Sequence, residues 1–154
     1  MIDYSALLQP QTVVAGLAVA NKKALLTQLA GLIAAAHGLD AKLVGTCLSE
    51  REKIGSTGFG GGIAIPHAKL AGLEKVTGLF ARLAQPVDFQ AIDQLPVDLL
   101  FVMLSPPMAG ADHLKALASV SRRLRDAGFV AKLRGAGSPD ALYALWTEDG
   151  RDGG

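Results

Sequence analysis

A histidine at the end of a glycine-rich segment is the strongest candidate for chemistry in this sequence of 154 residues. His67 directly follows the short run Ile63-Ala64-Ile65-Pro66, and glycines dominate positions 58–62 before it. Neutral imidazole is a nucleophile near pH 7 because its unperturbed pKa is about 6.5, so it could attack a phosphoryl donor without a separate base. A histidine beside a loop is also commonly a hydrogen-bonded structural residue, and the residues alone leave both interpretations open.

The glycines restrict which kind of phosphate chemistry is plausible. No Gly-Lys-Ser/Thr follows at the Walker spacing, and no frame gives G-x-G-x-x-G, so a nucleotide-binding loop is not predicted. Glycine does let backbone approach an incoming group closely and tolerates positive φ. We therefore expect a backbone-lined hollow beside His67.

Two further side chains could assist a phosphoryl group on His67. Arg51 offers a planar fork of donors, although taken alone it is equally a favourable charge at a helix C-terminus. His113 follows Asp112, a predicted N-cap, and could donate to a phosphoryl oxygen or be a solvated first-turn histidine. The sequence holds one cysteine, Cys47, and no paired metal-ligand motif, so we predict no metal and no cofactor.

Capping residues and apolar spacing predict five helices around these candidates. Asn21 begins a helix that ends near His37, and Asp40 begins one that ends near Arg51, with Leu43, Val44, Cys47 and Leu48 inward. The other three predicted helices run from 112 to about 126, from 129 to 134, and from a Ser-Pro start at 138 to about 146.

Three apolar segments predict strands, at 63–65, 76–83 and 97–104. The last is almost entirely apolar, which is typical of a central strand covered on both faces. Strands that alternate with helices predict an α/β sandwich. The acidic, glycine-rich end at 149–154 is predicted to be a disordered tail after a single domain at 1–148.

Charge and hydropathy narrow the function classes. The chain carries 15 basic and 14 acidic residues without a basic stripe, which argues against nucleic-acid binding. We find no signal-peptide pattern at the N-terminus and no apolar run of the ~18 residues that a membrane span needs. The sequence therefore predicts a cytoplasmic protein with no membrane insertion.

Three segments carry a resemblance to a known family: REKIGSTGFGGGIAIPHAKL, DFQAIDQLPVDLLFVMLSP and HLKALASVSRRLRD. They resemble the enzyme IIA family of the bacterial phosphoenolpyruvate-dependent phosphotransferase system, fructose and mannitol type, and within it the nitrogen-regulatory branch. The resemblance implies a mixed central sheet flanked by helices on both faces. It also implies that His67 is the phosphorylated histidine, that His113 is the second active-site histidine and that Arg51 is the arginine of the Arg-Glu pair.

The resemblance further implies partners. The expected donor is a histidine phosphocarrier protein of the nitrogen branch, and the expected output is regulation of target proteins by phosphorylation state. The alternative is a sugar-specific component that passes the phosphoryl group to a IIB domain for fructose- or mannitol-type uptake. We expect Phe59 and Ile63 either to rim the docking face near His67 or to lie in the core. We expect transfer to Nε2 of His67, with Nδ1 held by a backbone carbonyl.

Overall fold

A mixed six-stranded sheet forms the centre of the computed structural model, which describes residues 2–148. The strand order is β1-β5-β6-β3-β2, and β4 also pairs with β6. β5 runs antiparallel to β6, whereas β3 and β4 run parallel to it. The strands are β1 (Val13–Leu17), β2 (Gly58–Gly60), β3 (Ile63–Ala64), β4 (His67–Lys69), β5 (Thr77–Val87) and β6 (Val97–Ser105).

The helices lie on both faces of this sheet, and side chains cap several of them. Asn21 accepts from the Ala24 backbone at the start of one helix, Asp40 caps the next, and Ser138 caps the last, as predicted. Within residues 2–148, no helix has both the length and the apolar character that crossing a bilayer demands. The helices are α1 (Tyr4–Leu7), α2 (Lys22–His37), α3 (Ala41–Ile54), α4 (Gly110–Leu124), α5 (Ala127–Gly135) and α6 (Pro139–Thr147), with a 3-10 turn at Pro10–Thr12.

Strand β6 divides the core into two layers. Leu100, Val102 and Leu104 pack with α2 and α3 on one side, while Phe101 and Met103 pack with α4 and α6 on the other. Successive side chains of a strand point to opposite faces, so an unbroken apolar strand fills two cores at once. The prediction of a central strand covered on both faces is confirmed.

Several local predictions were incomplete or wrong. Helix α3 continues three residues beyond Arg51 to Ile54, and its side chain at Leu43 is 45 % exposed rather than inward. The buried stripe of α3 is narrow, because Val44 and Leu48 face the core while Leu43, one residue earlier, is turned toward solvent. Strands β1, β2 and β4 and helix α1 were not predicted. The tail predicted at 149–154 lies outside the described residues.

Candidate functional site

His67 begins β4, where the backbone on both sides of it is bonded to neighbouring elements. The Ile65 N–H donates to the Thr57 carbonyl at 3.1 Å, and the Met103 N–H donates to the Pro66 carbonyl at 2.9 Å. Proline at 66 favours an extended conformation for Ile65, which suits this pairing. The sequence thus holds the backbone of His67 against β6, with the side chain half-buried.

The His67 ring is oriented by its own backbone. Its Nδ1 lies 2.7 Å from the Ile65 carbonyl oxygen, which can only accept a hydrogen bond. Nδ1 therefore carries the proton, and Nε2 of the neutral ring keeps its lone pair. The contact expected between Nδ1 and a backbone carbonyl is present.

His113 lies beside His67, although not in the position that the sequence suggested. Helix α4 begins at Gly110 and its N-cap residue, Ala109, makes no side-chain cap, so Asp112 lies within the first turn and the predicted cap is wrong. His113 is consequently one turn further into the helix and only 8 % exposed, not solvated. The His67 and His113 ring centroids are 5.7 Å apart with the planes tilted by 52°.

A buried serine at the end of β6 holds the second imidazole. The Ser105 hydroxyl oxygen lies 2.5 Å from Nδ1 of His113. If the hydroxyl donates to Nδ1, the neutral ring carries its proton on Nε2, where it can donate to a ligand. The sequence analysis missed Ser105, because only the packing of α4 on β6 brings it to His113.

Burial keeps both imidazoles neutral. Desolvation lowers the pKa of His67 below its ordinary value of 6.5; the Ile65 carbonyl raises this pKa, the charge of Arg51 lowers it and the charge of Glu52 raises it. Desolvation likewise lowers the pKa of His113, and positive charge on His67 and on Lys69 lowers it further. The two rings therefore offer a nucleophile and a neutral donor near pH 7.

Arg51 lies half-buried in the last turn of α3, and its positive charge lowers the pKa of His67. Its Nη1 donates to the Gly55 carbonyl at 2.9 Å, which tethers the loop after the helix. A cation is also favourable at this position because the C-terminus of a helix carries partial negative charge. The structure thus places the ring of His113 beside His67, and the charge of Arg51 lowers the pKa of His67.

Glu52, a residue that sequence reasoning passed over, anchors the same loop from inside. It is 8 % exposed, accepts hydrogen bonds from the backbone and the hydroxyl of Thr57, and forms an ion pair with Lys22 at 2.9 Å. A signal was available in the sequence, because Glu52 continues the buried stripe of Val44 and Leu48 at a spacing of four. A charged residue on such a stripe needs a buried partner.

The glycine-rich turn does not line His67. The Gly61 N–H donates to Asp93 at 3.0 Å, and the Gly61 carbonyl accepts from Arg134 at 2.8 Å, so these residues clamp the turn between β2 and β3. Ile63 pairs with Leu99 of β6 whereas His67 pairs with Met103, a separation of about 13 Å along the strand. The loop that is bonded next to His67 is instead 55–57, whose Thr57 carbonyl accepts from Ile65. The expected hollow is therefore not built by the glycine turn.

The predicted apolar rim also differs. Ile63 lies in the core, which was one of the two alternatives predicted for it. Phe59 packs against that core, and the Arg125 guanidinium lies 5.2 Å from the centroid of its ring. Exposed apolar side chains instead lie on or beside the helices that supply Arg51 and His113: Ile54 ends α3, Met108 precedes α4 and Leu114 follows His113 within α4. Residues 2–148 contain no group of three or more histidine, cysteine or acidic side chains placed to hold a metal ion.

Known proteins of one family resemble this chain in sequence and in fold. Residues 6–148 match the family model described as phosphoenolpyruvate-dependent sugar phosphotransferase system, EIIA 2. A nitrogen regulatory protein of Bradyrhizobium diazoefficiens is 47% identical over 139 residues, covering 90% of this chain and 91% of that protein. One of Pseudomonas aeruginosa is 40% identical over 146 residues, covering 94% and 95%. The crystal structure of nitrogen regulatory protein IIA-Ntr from Neisseria meningitidis superposes with a TM-score of 0.88 at 34% identity, covering 94% of this chain and 99% of that one.

Proposed function

The chain belongs to the EIIA 2 family of the phosphoenolpyruvate-dependent sugar phosphotransferase system, and on that premise we propose that it accepts a phosphoryl group on Nε2 of His67 and regulates partner proteins by its phosphorylation state. The observation that supports this most strongly is the hydrogen bond between Nδ1 of His67 and the Ile65 carbonyl. It leaves Nε2 as the free nucleophile in a ring that burial keeps neutral.

The transfer needs no proton shuttle. The Nε2 lone pair forms a bond to phosphorus while the bond between phosphorus and the donor's imidazole nitrogen breaks, and its electron pair returns to that nitrogen. The Nδ1 proton stays in place, and the Ile65 carbonyl stabilises the positive charge that the ring gains. Such transfers proceed through a loose transition state in which positioning and charge govern the rate.

Arg51 and His113 supply the stabilising charge and donor in this proposal. Arg51 uses one nitrogen on Gly55 and has the rest of its fork for phosphoryl oxygens. The neutral ring of His113, 5.7 Å from that of His67 between centroids, offers an N–H to another oxygen. Neither group has to move its own proton.

The donor that this arrangement suits is a histidine phosphocarrier protein of the nitrogen branch. Ile54, at the end of the helix that carries Arg51, and Leu114, next to His113 in α4, are exposed and would give such a partner apolar contacts. Handover between carriers requires a small, short-lived interface, which a few exposed apolar side chains can form.

Regulation follows from the charge that phosphorylation adds. A phosphoryl group converts a neutral, half-buried imidazole into a centre of nearly two negative charges at pH 7. A partner that covers unphosphorylated His67 without a matching cation should then bind at least about tenfold more weakly, equivalent to about 1.4 kcal/mol. The relatives named nitrogen regulatory protein favour this regulatory output over simple relay to a IIB domain.

The acceptor is tested by labelling. The full chain is incubated with a phosphorylated carrier, and the acid-labile label is mapped by mass spectrometry in wild type and in His67→Ala. We expect label on His67 alone, linked through Nε2 in nitrogen-resolved NMR. Label that persists in His67→Ala would contradict the assignment, and an Nδ1 linkage would contradict the tautomer argument.

The regulatory output is tested by co-purification from cells with wild type, His67→Ala and His67→Asp. We expect a non-transport partner whose affinity differs between the phosphorylated and unphosphorylated protein while far-UV circular dichroism stays unchanged. Recovery of a IIB domain alone, with equal affinities for every other partner, would favour the relay function.

A further inference from the structure

We propose that the buried carboxylate of Glu52, together with its partner Lys22, is a positioning group for His67: it fixes the loop that supports the ring and acts on the imidazole through its charge. The inference rests on the proposed function only in so far as His67 is the reactive group.

A continuous series of hydrogen bonds joins Glu52 to the imidazole. Both carboxylate oxygens accept from the Thr57 N–H, at 3.1 and 3.2 Å, and the Thr57 hydroxyl donates to the same group. The Thr57 carbonyl accepts from Ile65, and the Ile65 carbonyl accepts from Nδ1 of His67. Displacement of the carboxylate would therefore shift the acceptor that fixes the tautomer of His67.

The position of Lys22 is not explained by the stability of its own helix. It is the first residue of α2, where a cation opposes the helix dipole. Its ammonium lies 2.9 Å from Glu52 and 4.4 Å from the centroid of the Phe89 ring. The ammonium of Lys22 balances the charge of the buried carboxylate, whose burial without a partner would be unfavourable.

Adjacent residues of α3 thus act on opposite sides of the loop. Arg51 bonds the Gly55 carbonyl on the outside, and Glu52 bonds Thr57 on the inside. Their charges also act on His67 in opposite directions, since Arg51 lowers its pKa and Glu52 raises it. Among the described residues, His113 of α4 lies beside His67, Lys69 of β4 lowers the pKa of His113, and Lys22 of α2 pairs with Glu52.

The test is an NMR titration of the His67 ring in the unphosphorylated full chain. Glu52→Gln keeps an acceptor for Thr57 but removes the negative charge, so the pKa of His67 should fall. Lys22→Met leaves the carboxylate unneutralised, so the pKa should rise. Opposite shifts from the two halves of one ion pair identify an electrostatic action, because loosening of the loop would move both variants in the same direction.

Matched controls come from the neighbouring residues. Glu50→Gln and Lys23→Met remove exposed charges from the same two helices and should leave the pKa of His67 unchanged. Phosphoryl transfer to Glu52→Gln should be about tenfold slower than to wild type, equivalent to about 1.4 kcal/mol, because the variant lacks the negative charge that stabilises the positive charge gained by the His67 ring. Transfer to the two control variants should match wild type.

The outcomes separate this inference from the proposed function. Shifts of the same sign, or no shift in Lys22→Met, would overturn the positioning role even when His67 is phosphorylated normally. Opposite shifts in a protein that no carrier phosphorylates would support the positioning role and refute the proposed function. If Glu52→Gln does not fold, the direction in which Lys22→Met shifts the pKa of His67 tests the positioning role, and we expect an upward shift. The double variant, which removes both charges, should return the pKa of His67 toward the wild-type value.

Discussion

Arg51 should matter far more to the rate of phosphoryl transfer than to the stability of the fold. The change to test is Arg51→Ala, with Arg51→Lys as the conservative variant and Lys53→Ala as a control that removes an exposed cation from the same helix end. The expected stability loss is at most about 1 kcal/mol, because the one hydrogen bond that Arg51 makes to Gly55 is solvent-exposed.

The expected loss in rate is larger. A phosphoryl group carries nearly two negative charges, and a hydrogen bond to a charged group is worth about 1.5–3 kcal/mol. Loss of that interaction in the transition state corresponds to a rate about 10 to 150 times slower. Arg51→Lys should fall between wild type and Arg51→Ala, because an ammonium keeps the charge but cannot grip two oxygens at once.

Rates should be measured by rapid quench with a phosphorylated carrier, and stability by urea unfolding of the same preparations. Removal of Arg51 raises the pKa of His67, because the guanidinium lowers it in the wild type. A pH of 8 therefore keeps the imidazole neutral in all variants and isolates the effect on the transition state. A rate for Arg51→Ala equal to that of Lys53→Ala, or a rate loss that only follows the unfolded fraction, would refute the argument.

Three further expectations concern the second histidine, the glycine turn and pH. Ser105→Ala should slow transfer about three- to tenfold and redistribute the His113 ring tautomers in ¹⁵N NMR; an unchanged tautomer would show that the hydroxyl does not select it. Gly62→Ala should lower the free energy of unfolding by about 1–3 kcal/mol in urea, because φ at Gly62 is +82° and a Cβ would lie 2.6 Å from Arg134. Gly61→Ala should lower it less, because the space around Gly61 is open. Neither variant should change the rate of phosphoryl transfer. The free energy of unfolding should decrease as pH falls from 6.5 through the lowered pKa values of His67 and His113 in the folded state. The reason is that the unfolded chain binds more protons than the folded chain in this range. A variant with both His67→Asn and His113→Asn should show a weaker decrease.

The sequence predicted most where a signal is local. Asn21, Asp40 and Ser138 were assigned as helix caps because a short polar side chain before an apolar, helix-spaced run can satisfy the first free N–H groups of that same helix. The unbroken apolar run at 97–104 likewise predicted a doubly covered strand. The short strands β2 and β4 gave no such signal, because each is only three residues long and is defined by its partners in the sheet.

The candidate site divides in the same way. From the sequence alone came His67 with its Ile-Pro neighbours, the nomination of Arg51 and His113, and the resemblance to the IIA family. Only the tertiary structure decided that His113 is buried against Ser105, that Glu52 and Lys22 support the loop beside His67, and that the glycines at 60–62 serve a clamped turn elsewhere. The physical reason is that strand register and the partners of buried groups depend on how distant elements pack. Spacing within one helix can mark Glu52 as buried, but it cannot identify Lys22 as its partner.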